Sequence, residues 1–289
     1  GIRAFLLNDQ RFENLKGLPG TDWSSAHGIN DIGGVAGSSN TASAVRAFRW
    51  TRATGAQQLS PLPGDNVSEA FAINRHNEVA GYSSGPKGVE ATIWNSIAQI
   101  ERIGRLASGD QSRGLGINER SEVVGVSGTS RRTRAFRWRR GEGMRDLGTL
   151  QGDANSTAYS INNLGQVVGF SEGITGSRGF LWDPDKGMES LGTLAGGLSS
   201  RALAINDRGE VVGTSESSLG PRAFLWTRTS GMRDLNELIP EDTDFVLFEA
   251  AGINNLGAIV ALGRDKDTHG GAHAYHEFST RVLLLLPLS

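Results

Sequence analysis

The chain has 289 residues, no cysteine, 40 glycines and a formal net charge of −2. The lack of cysteine excludes disulfides and thiolate metal sites, and the near-neutral charge argues against a nucleic-acid binder, because phosphate neutralisation needs clustered positive charge. No apolar stretch reaches the about 18 residues that a membrane-spanning helix needs, and no signal peptide is visible at Gly1.

The first predicted elements are two short strands at residues 4–7 and 12–15. They match the third and fourth strands of a repeat that then runs through the chain. Its most constant feature is an Ile-Asn turn, spaced 44 residues apart and 48 before the last copy, at Asn30, Asn74, Asn118, Asn162, Asn206 and Asn254. Spacing this regular indicates a repeat architecture.

Each regular repeat contains four predicted strands; in the fifth copy they lie at residues 200–206, 210–213, 222–226 and 232–235. The first two are joined by Asn-Asp-Arg-Gly, which favours a tight turn because Asn bonds the nearby backbone and Gly accepts a left-handed conformation. Asn77 and Ser121 replace this glycine in two copies, which predicts less favourable hairpins there. No segment has an apolar period of 3.6 residues, so we expect almost no helix.

Four strands in about 44 residues fit one blade of a β-propeller. The six Ile-Asn turns therefore predict an all-β, six-bladed β-propeller formed by one domain, residues 1–289. A seven-bladed ring is the alternative; it is disfavoured because the strand pairs at both chain ends match the same two blade positions.

The chain ends are predicted to close the ring. Residues 274–277 and 282–286 match the third and fourth strands, and the N-terminal strand at residues 12–15 is expected to complete the last blade as its outermost strand. One terminal strand is then surplus, and the sequence leaves open which. The last repeat is seven residues longer, in loops 239–248 and 264–271, which serve either ring closure or function.

Three motifs resemble those of a known family: Ala-Phe-Leu-Trp, Met-Arg-Asp-Leu-Gly-Thr-Leu and Ala-x-x-Ile-Asn-x-x-Gly-x-Val-Val-Gly. They look like the HAF repeat family of bacterial repeat proteins, over almost the whole chain and most closely at residues 135–236. The resemblance implies the repeat fold and an extracellular or periplasmic setting, and it carries no catalytic residue.

The chain departs from this family at the histidine before Ala-Phe, which only the last copy keeps, as His273. The other copies have Arg3, Arg46, Glu90, Arg134, Arg178 and Arg222. We expect each arginine to pair with a carboxylate of its own blade, such as Asp146 or Asp234, rather than to form a positive ring.

Two columns of the first strand vary between repeats, although a purely structural column should repeat. One reads Ser25, Glu69, Arg113, Thr157, Arg201 and Glu249, and the other reads His27, Phe71, Leu115, Tyr159, Leu203 and Ala251. Because the innermost strands of a propeller line its central channel, this variation predicts a ligand site at the channel mouth.

The chemistry of these columns suits a small polar or anionic ligand or a glycan. Arg113 and Arg201 would hold carboxylate, phosphate or sulfate groups, and His27 and Tyr159 would add hydrogen bonds. The alternative is structural: Glu69 pairs with Arg113 and Glu249 with Arg201, and the pairs plug the channel.

Tryptophan also repeats every 44 residues, and we expect this column to be core between blades: Trp50, Trp94, Trp138, Trp182 and Trp226. Trp23 lies outside the column and is the more plausible ligand contact.

His269, His273 and His276 lie near Asp265 and Asp267 but match no metal-ligand motif, so we predict no metal or cofactor.

Three functions remain open from the sequence. The first is a ligand-binding module, and the second is an enzyme at the same place with Glu69 or Glu249 as acid or base. The third is a scaffold that binds a protein partner through its loops.

Overall fold

The computed structural model describes residues 2–8, 11–41, 44–107, 109–266 and 280–287. In these ranges the only helix is a 3-10 turn, Leu235–Glu237, and the strands form an all-β, six-bladed β-propeller with antiparallel blades. The predicted fold class is confirmed. No helix in the described part of the chain is long and apolar enough to cross a membrane. The chain divides into two units, Gly1–Leu147 and Gly148–Ser289.

The first unit contains a two-stranded sheet followed by three complete four-stranded blades. The two-stranded sheet is β1 (Phe5–Asn8) with β2 (Arg11–Asn14). The three blades follow in chain order: β3 (Trp23–Ile29), β4 (Val35–Asn40), β5 (Val45–Thr51) and β6 (Gly55–Leu59); β7 (Val67–Ile73), β8 (Val79–Gly85), β9 (Gly88–Trp94) and β10 (Ile100–Gly104); β11 (Gln111–Ile117), β12 (Val123–Gly128), β13 (Thr133–Arg139) and β14 (Gly143–Asp146).

The second unit contains two complete blades and a last blade with three described strands. Their bounds are β15 (Asn155–Ile161), β16 (Val167–Gly173), β17 (Gly176–Asp183) and β18 (Gly187–Gly192); β19 (Ser200–Ile205), β20 (Val211–Ser215), β21 (Arg222–Thr227) and β22 (Gly231–Asp234); β23 (Phe245–Ile253), β24 (Ile259–Asp265) and β25 (Thr280–Leu285).

The C-terminal strand takes a different place from the predicted one. On β25, Leu285 pairs with Ile259 of β24 just as Trp226 pairs with Val211 in the fifth blade. Residues 280–285 therefore form the third strand, and the prediction of a fourth strand at 282–286 is wrong. The pairing packs Leu283 and Leu285 against the core of the blade, which strand order along the chain did not reveal. The predicted strand at residues 274–277 lies outside the described residues, and ring closure stays a prediction.

The Ile-Asn turn joins its own hairpin to the next blade. Asn206 is buried, and its Oδ1 accepts the backbone N–H groups of Arg208 and Glu210 at 3.0 and 3.1 Å. Its Nδ2 donates to the Glu210 carboxylate at 2.6 Å and to the backbone carbonyl of Asn254 in the next blade at 3.1 Å. The same bond to the next asparagine carbonyl is made by Asn30, Asn74 and Asn162.

The repeated tryptophans lie in the core, as predicted, and none of the five is more than 8% exposed. Trp226 packs against Leu181 and Leu191 of the preceding blade and against Ile205 of its own. Buried serines add polar links between blades: the hydroxyl of Ser68 accepts the N–H of Ala47 at 3.0 Å, and that of Ser200 accepts the N–H of Gly179 at 2.9 Å.

The turns adopt the left-handed backbone that their sequence predicts, with φ of 75° at Gly209, 59° at Asn77 and 60° at Ser121. A Cβ added at Gly209 would meet only the Gln166 Oε1 atom, at 3.7 Å. A substitution at Gly209 therefore reports the cost of the backbone conformation alone.

We predict that Gly209→Ala lowers the free energy of unfolding by about 1–2 kcal/mol, because an alanine pays the full left-handed penalty. Gly209→Asn should cost less, since asparagine holds this conformation at Asn77. Urea denaturation followed by tryptophan fluorescence measures both. An alanine variant as stable as the wild type would contradict the assignment.

Candidate functional site

The varying first-strand column lies opposite a column of the second strand. The register pairs Glu69 with Tyr82 and Thr157 with Phe170. Ser68 and Ala70, which flank Glu69, are buried, whereas Glu69 itself is half-buried. Since side chains alternate along a strand, the variable residues share the less buried face of each blade.

In the first unit this face gathers an aromatic and charged cluster. The rings of His27 and Phe71 lie 5.4 Å apart between centroids, and those of Phe71 and Tyr82 lie 6.0 Å apart. The guanidinium carbon of Arg113 lies 5.3 Å from the centre of the Tyr82 ring. The structure thus brings together His27, Phe71 and Arg113, with Glu69 beside Tyr82.

The titratable groups of this cluster influence one another. Partial burial lowers the pKa of His27, and the nearby charge of Glu69 opposes that shift. Burial raises the pKa of Tyr82, a hydrogen bond to Glu69 and its charge raise it further, and Arg113 opposes. Tyr82 therefore remains a neutral phenol beside the Glu69 carboxylate.

The second unit contains a similar cluster, formed by Tyr159, Phe170 and Arg201 of the fourth and fifth blades. The guanidinium carbon of Arg201 lies 4.8 Å from the centre of the Phe170 ring, and the rings of Tyr159 and Phe170 lie 5.7 Å apart. Burial raises the pKa of Tyr159; the charge of Arg201 opposes this shift and that of Glu249 adds to it. In both units an arginine of one blade covers an aromatic ring on the second strand of the preceding blade.

The alternative of Glu–Arg pairs that plug the channel is not observed within these clusters. Among the described residues, no ion pair joins Glu69 to Arg113 or Glu249 to Arg201; each arginine instead lies over an aromatic ring, and Arg113 also donates to the Gln111 side chain at 3.3 Å. Aromatic faces attract a guanidinium group and hold its plane.

The remaining predicted residues lie on first strands of the blades. Thr157 is half-buried opposite Phe170. Trp23 begins β3 opposite Asn40, and Ser25 follows on the same strand opposite Ser38. The structure shows no side-chain contact between Trp23 or Ser25 and the His27 cluster in the part of the chain that it describes.

Sequence reasoning missed Tyr82 and Phe170, which form the two aromatic platforms. A signal was present in the second-strand column opposite the predicted one, which varies just as widely: Ser38, Tyr82, Val126, Phe170, Thr214 and Leu262.

Two other sets of predicted residues have different outcomes. Arg134 lies 3.8 Å from Asp146 and Arg222 lies 3.6 Å from Asp234, so the expected pairing within blades is confirmed for these two arginines. It is wrong for Arg3 and Arg46, which donate to the backbone carbonyls of Thr21 and Asn66. His269, His273, His276 and Asp267 lie outside the described residues. The carboxylate of Asp265 pairs with Arg281 at 2.7 Å.

Comparisons with known proteins support the fold alone. No family model and no curated protein matches the sequence, so membership of the HAF repeat family stays a prediction. Similar solved structures include TolB from Acinetobacter baumannii, with a TM-score of 0.54 and 13% identity over 75% of this chain and 54% of that one. This chain therefore spans about half the length of that TolB.

Two further solved structures match more of their own length. Virginiamycin B lyase from Staphylococcus aureus has a TM-score of 0.53 and 10% identity, over 89% of this chain and 83% of that one. The β-propeller domain of the Trilobed protease from Pyrococcus furiosus has a TM-score of 0.56 and 10% identity, over 96% and 82%. This chain shares their propeller fold.

The His27 cluster predicts an order of histidine pKa values. Glu69→Gln should lower the pKa of His27 below that of the wild type, because it removes the charge that opposes the burial effect. Phe71→Ala should raise the pKa of His27, because loss of the neighbouring phenyl ring reduces the burial that lowers it. NMR titration of the His27 ring measures both changes. Wild-type titration in both variants would show that the three side chains do not interact.

Proposed function

We propose that this protein is a binding module that holds a small polar or anionic molecule, or a glycan bearing such a group, through a first-strand arginine that lies over an aromatic ring, Arg113 in the first unit and Arg201 in the second. β-Propellers are commonly binding or scaffold modules. The HAF resemblance adds an extracellular or periplasmic setting to the proposal. Its support comes from the two arginine–aromatic pairs.

The single observation that carries the proposal is the state of Arg201. Arg201 is exposed, and its guanidinium carbon lies 4.8 Å from the centre of the Phe170 ring. Among the described residues, no carboxylate forms an ion pair with Arg201. The ring holds the guanidinium plane, and the N–H groups along the edge of that plane stay available. A planar fork of donors held in this way suits two-point hydrogen bonding to carboxylate, phosphate or sulfate.

The carboxylates nearby shape the selectivity of such a site. Glu249 acts on Tyr159 through its charge, as Arg201 does, and Glu69 lies in the same cluster as Arg113. A ligand that offers only negative charge would be repelled by these carboxylates. We therefore favour a ligand with an anionic group beside hydroxyl or amine donors, as in a hydroxy acid or an acidic sugar.

A second candidate is an enzyme at the same place. The observation in its favour is the grouping of His27, Glu69 and Tyr82, in which a carboxylate lies close to a histidine and pairs across the strands with a tyrosine. Such a group moves protons when a substrate is held beside it. Glu249 would be the corresponding carboxylate of the second unit.

A thermal-shift screen of organic acids, phosphates, acidic sugars and neutral sugars tests the proposal. A ligand that binds the native state raises the unfolding free energy by mass action, by about 2.7 kcal/mol at 100 times its Kd. We expect a hit among the acidic compounds. Arg201→Ala or Arg113→Ala should weaken it by about tenfold or more, because a charge-assisted hydrogen bond is lost.

Matched variants keep the test specific. Arg233→Ala removes an exposed arginine on the outer strand β22 and should leave binding unchanged. Phe170→Leu keeps Arg201 but removes the aromatic ring beneath it, and it should weaken binding by a smaller factor.

If binding is unaffected by both inner arginine variants, the proposal fails. Turnover of the hit that is lost in Glu69→Gln would favour the enzyme, and no hit with any compound would favour a scaffold.

A further inference from the structure

The last blade contains an apolar pocket of about 590 Å³ that no part of the proposed function uses. It lies within the second unit, between the outer part of the fifth blade and the strands of the last blade. Its volume falls in the usual range of small-molecule sites, about 300–1,000 Å³. Among its lining residues only Arg208 and Glu210 are charged.

The same place in the preceding repeat is filled by an indole. Trp226 is enclosed by a set of apolar residues: Leu181, Leu191, Ile205 and Val211. Their counterparts one repeat later all line the pocket: Leu225, Leu235, Ile253 and Ile259. The register places Leu285 where the tryptophan would stand. The last blade therefore keeps the apolar residues that enclose an indole ring in the fifth blade, but it has a leucine in place of the tryptophan.

A second change removes a link between the last blade and the loop before it. In the fifth blade the hydroxyl of Ser215 accepts the N–H of Leu194 at 3.0 Å and ties down the loop before the blade. The corresponding residue of the last blade is Gly263, which has no hydroxyl, and the corresponding Leu238 is 39% exposed. The loop residues Leu238, Ile239 and Pro240 form one side of the pocket.

We propose that this pocket binds a small, net-neutral aromatic molecule with a planar apolar body of about indole size. The size follows from the tryptophan that fills the equivalent place in the other blades. An apolar cavity of this kind holds an aromatic ring better than it holds water, because its walls offer water no hydrogen bonds.

The charge of the ligand follows from the pocket edge. The Arg208 Nη2 atom lies 2.7 Å from the Glu210 carboxylate, which also accepts from Asn206 at 2.6 Å. The two charges neutralise each other, so the edge selects neither an anion nor a cation. This site is independent of Arg113 and Arg201, and its failure would leave the proposed function untouched.

Methyl NMR with indole as the probe tests the site on the whole chain. We expect indole to shift the methyl signals of Ile253 and Ile259 in a saturable way, while the buried Ile161 of the fourth blade stays unchanged. Imidazole, a polar ring of smaller size, should shift neither signal.

Leu285→Trp puts an indole at the strand position that Trp226 occupies in the fifth blade. It should fill the pocket, raise the melting temperature by about 2–4 °C and weaken indole binding by about tenfold or more. The matched control is Val282→Trp, which adds an indole on an exposed position of the same strand and should leave binding at the wild-type level.

Two results would overturn the proposal. One is wild-type indole binding by Leu285→Trp, which would place the probe elsewhere. The other is a lack of any shift at Ile253 and Ile259. If the wild type is then a dimer and Leu285→Trp a monomer by ultracentrifugation, the pocket is an interface between copies of the chain.

Discussion

The hairpins of Asn30, Asn74, Asn162 and Asn206 are fixed to the next blade by the amide of that asparagine. The amide of Asn206 accepts two backbone N–H groups of its own turn and donates to Glu210 and to the carbonyl of Asn254. An amide is suited to this place because it carries acceptor and donor on one short side chain. Where the turns are linked in this way, the first strands of the two neighbouring blades keep a common register.

Local chemistry that recurs was predictable from the sequence. The turn sequence and the 44-residue spacing predicted six hairpins, and the strand predicted at residues 200–206 is observed as Ser200–Ile205. The tryptophan column was correctly placed in the core, because a large apolar side chain at a fixed register must be buried in every repeat. The pairing of Arg222 with Asp234 followed from their places on neighbouring strands.

Contacts that occur in only one or two blades were not predictable. Arg113 and Arg201 lie over Tyr82 and Phe170 rather than beside a carboxylate, and this choice depends on the distance between second and first strands of adjacent blades. Arg137 was missed for a related reason. It stands where the fourth and fifth blades have Leu181 and Leu225, is buried, and lies 2.9 Å from Glu122.

The charge of Glu122 shows how such a contact is stabilised. Burial alone would raise the pKa of Glu122, but hydrogen bonds from Arg137, Asn118 and Arg139 outweigh burial and lower it.

The strand order of the last blade was predicted wrongly, because chain order does not decide which segment pairs with a free strand edge. Sequence repetition therefore predicts the scaffold, while the candidate sites arise where single repeats depart from it.

The most direct test of this account is the free energy of unfolding of Asn206→Asp at neutral pH, with Asn66→Asp at an exposed position as the control. Aspartate keeps the acceptors of residue 206, loses both donors and places a second carboxylate beside Glu210. The account predicts a loss of about 3 kcal/mol or more for Asn206→Asp and a change within about 0.5 kcal/mol for the control. Equal stability of the two variants would contradict it.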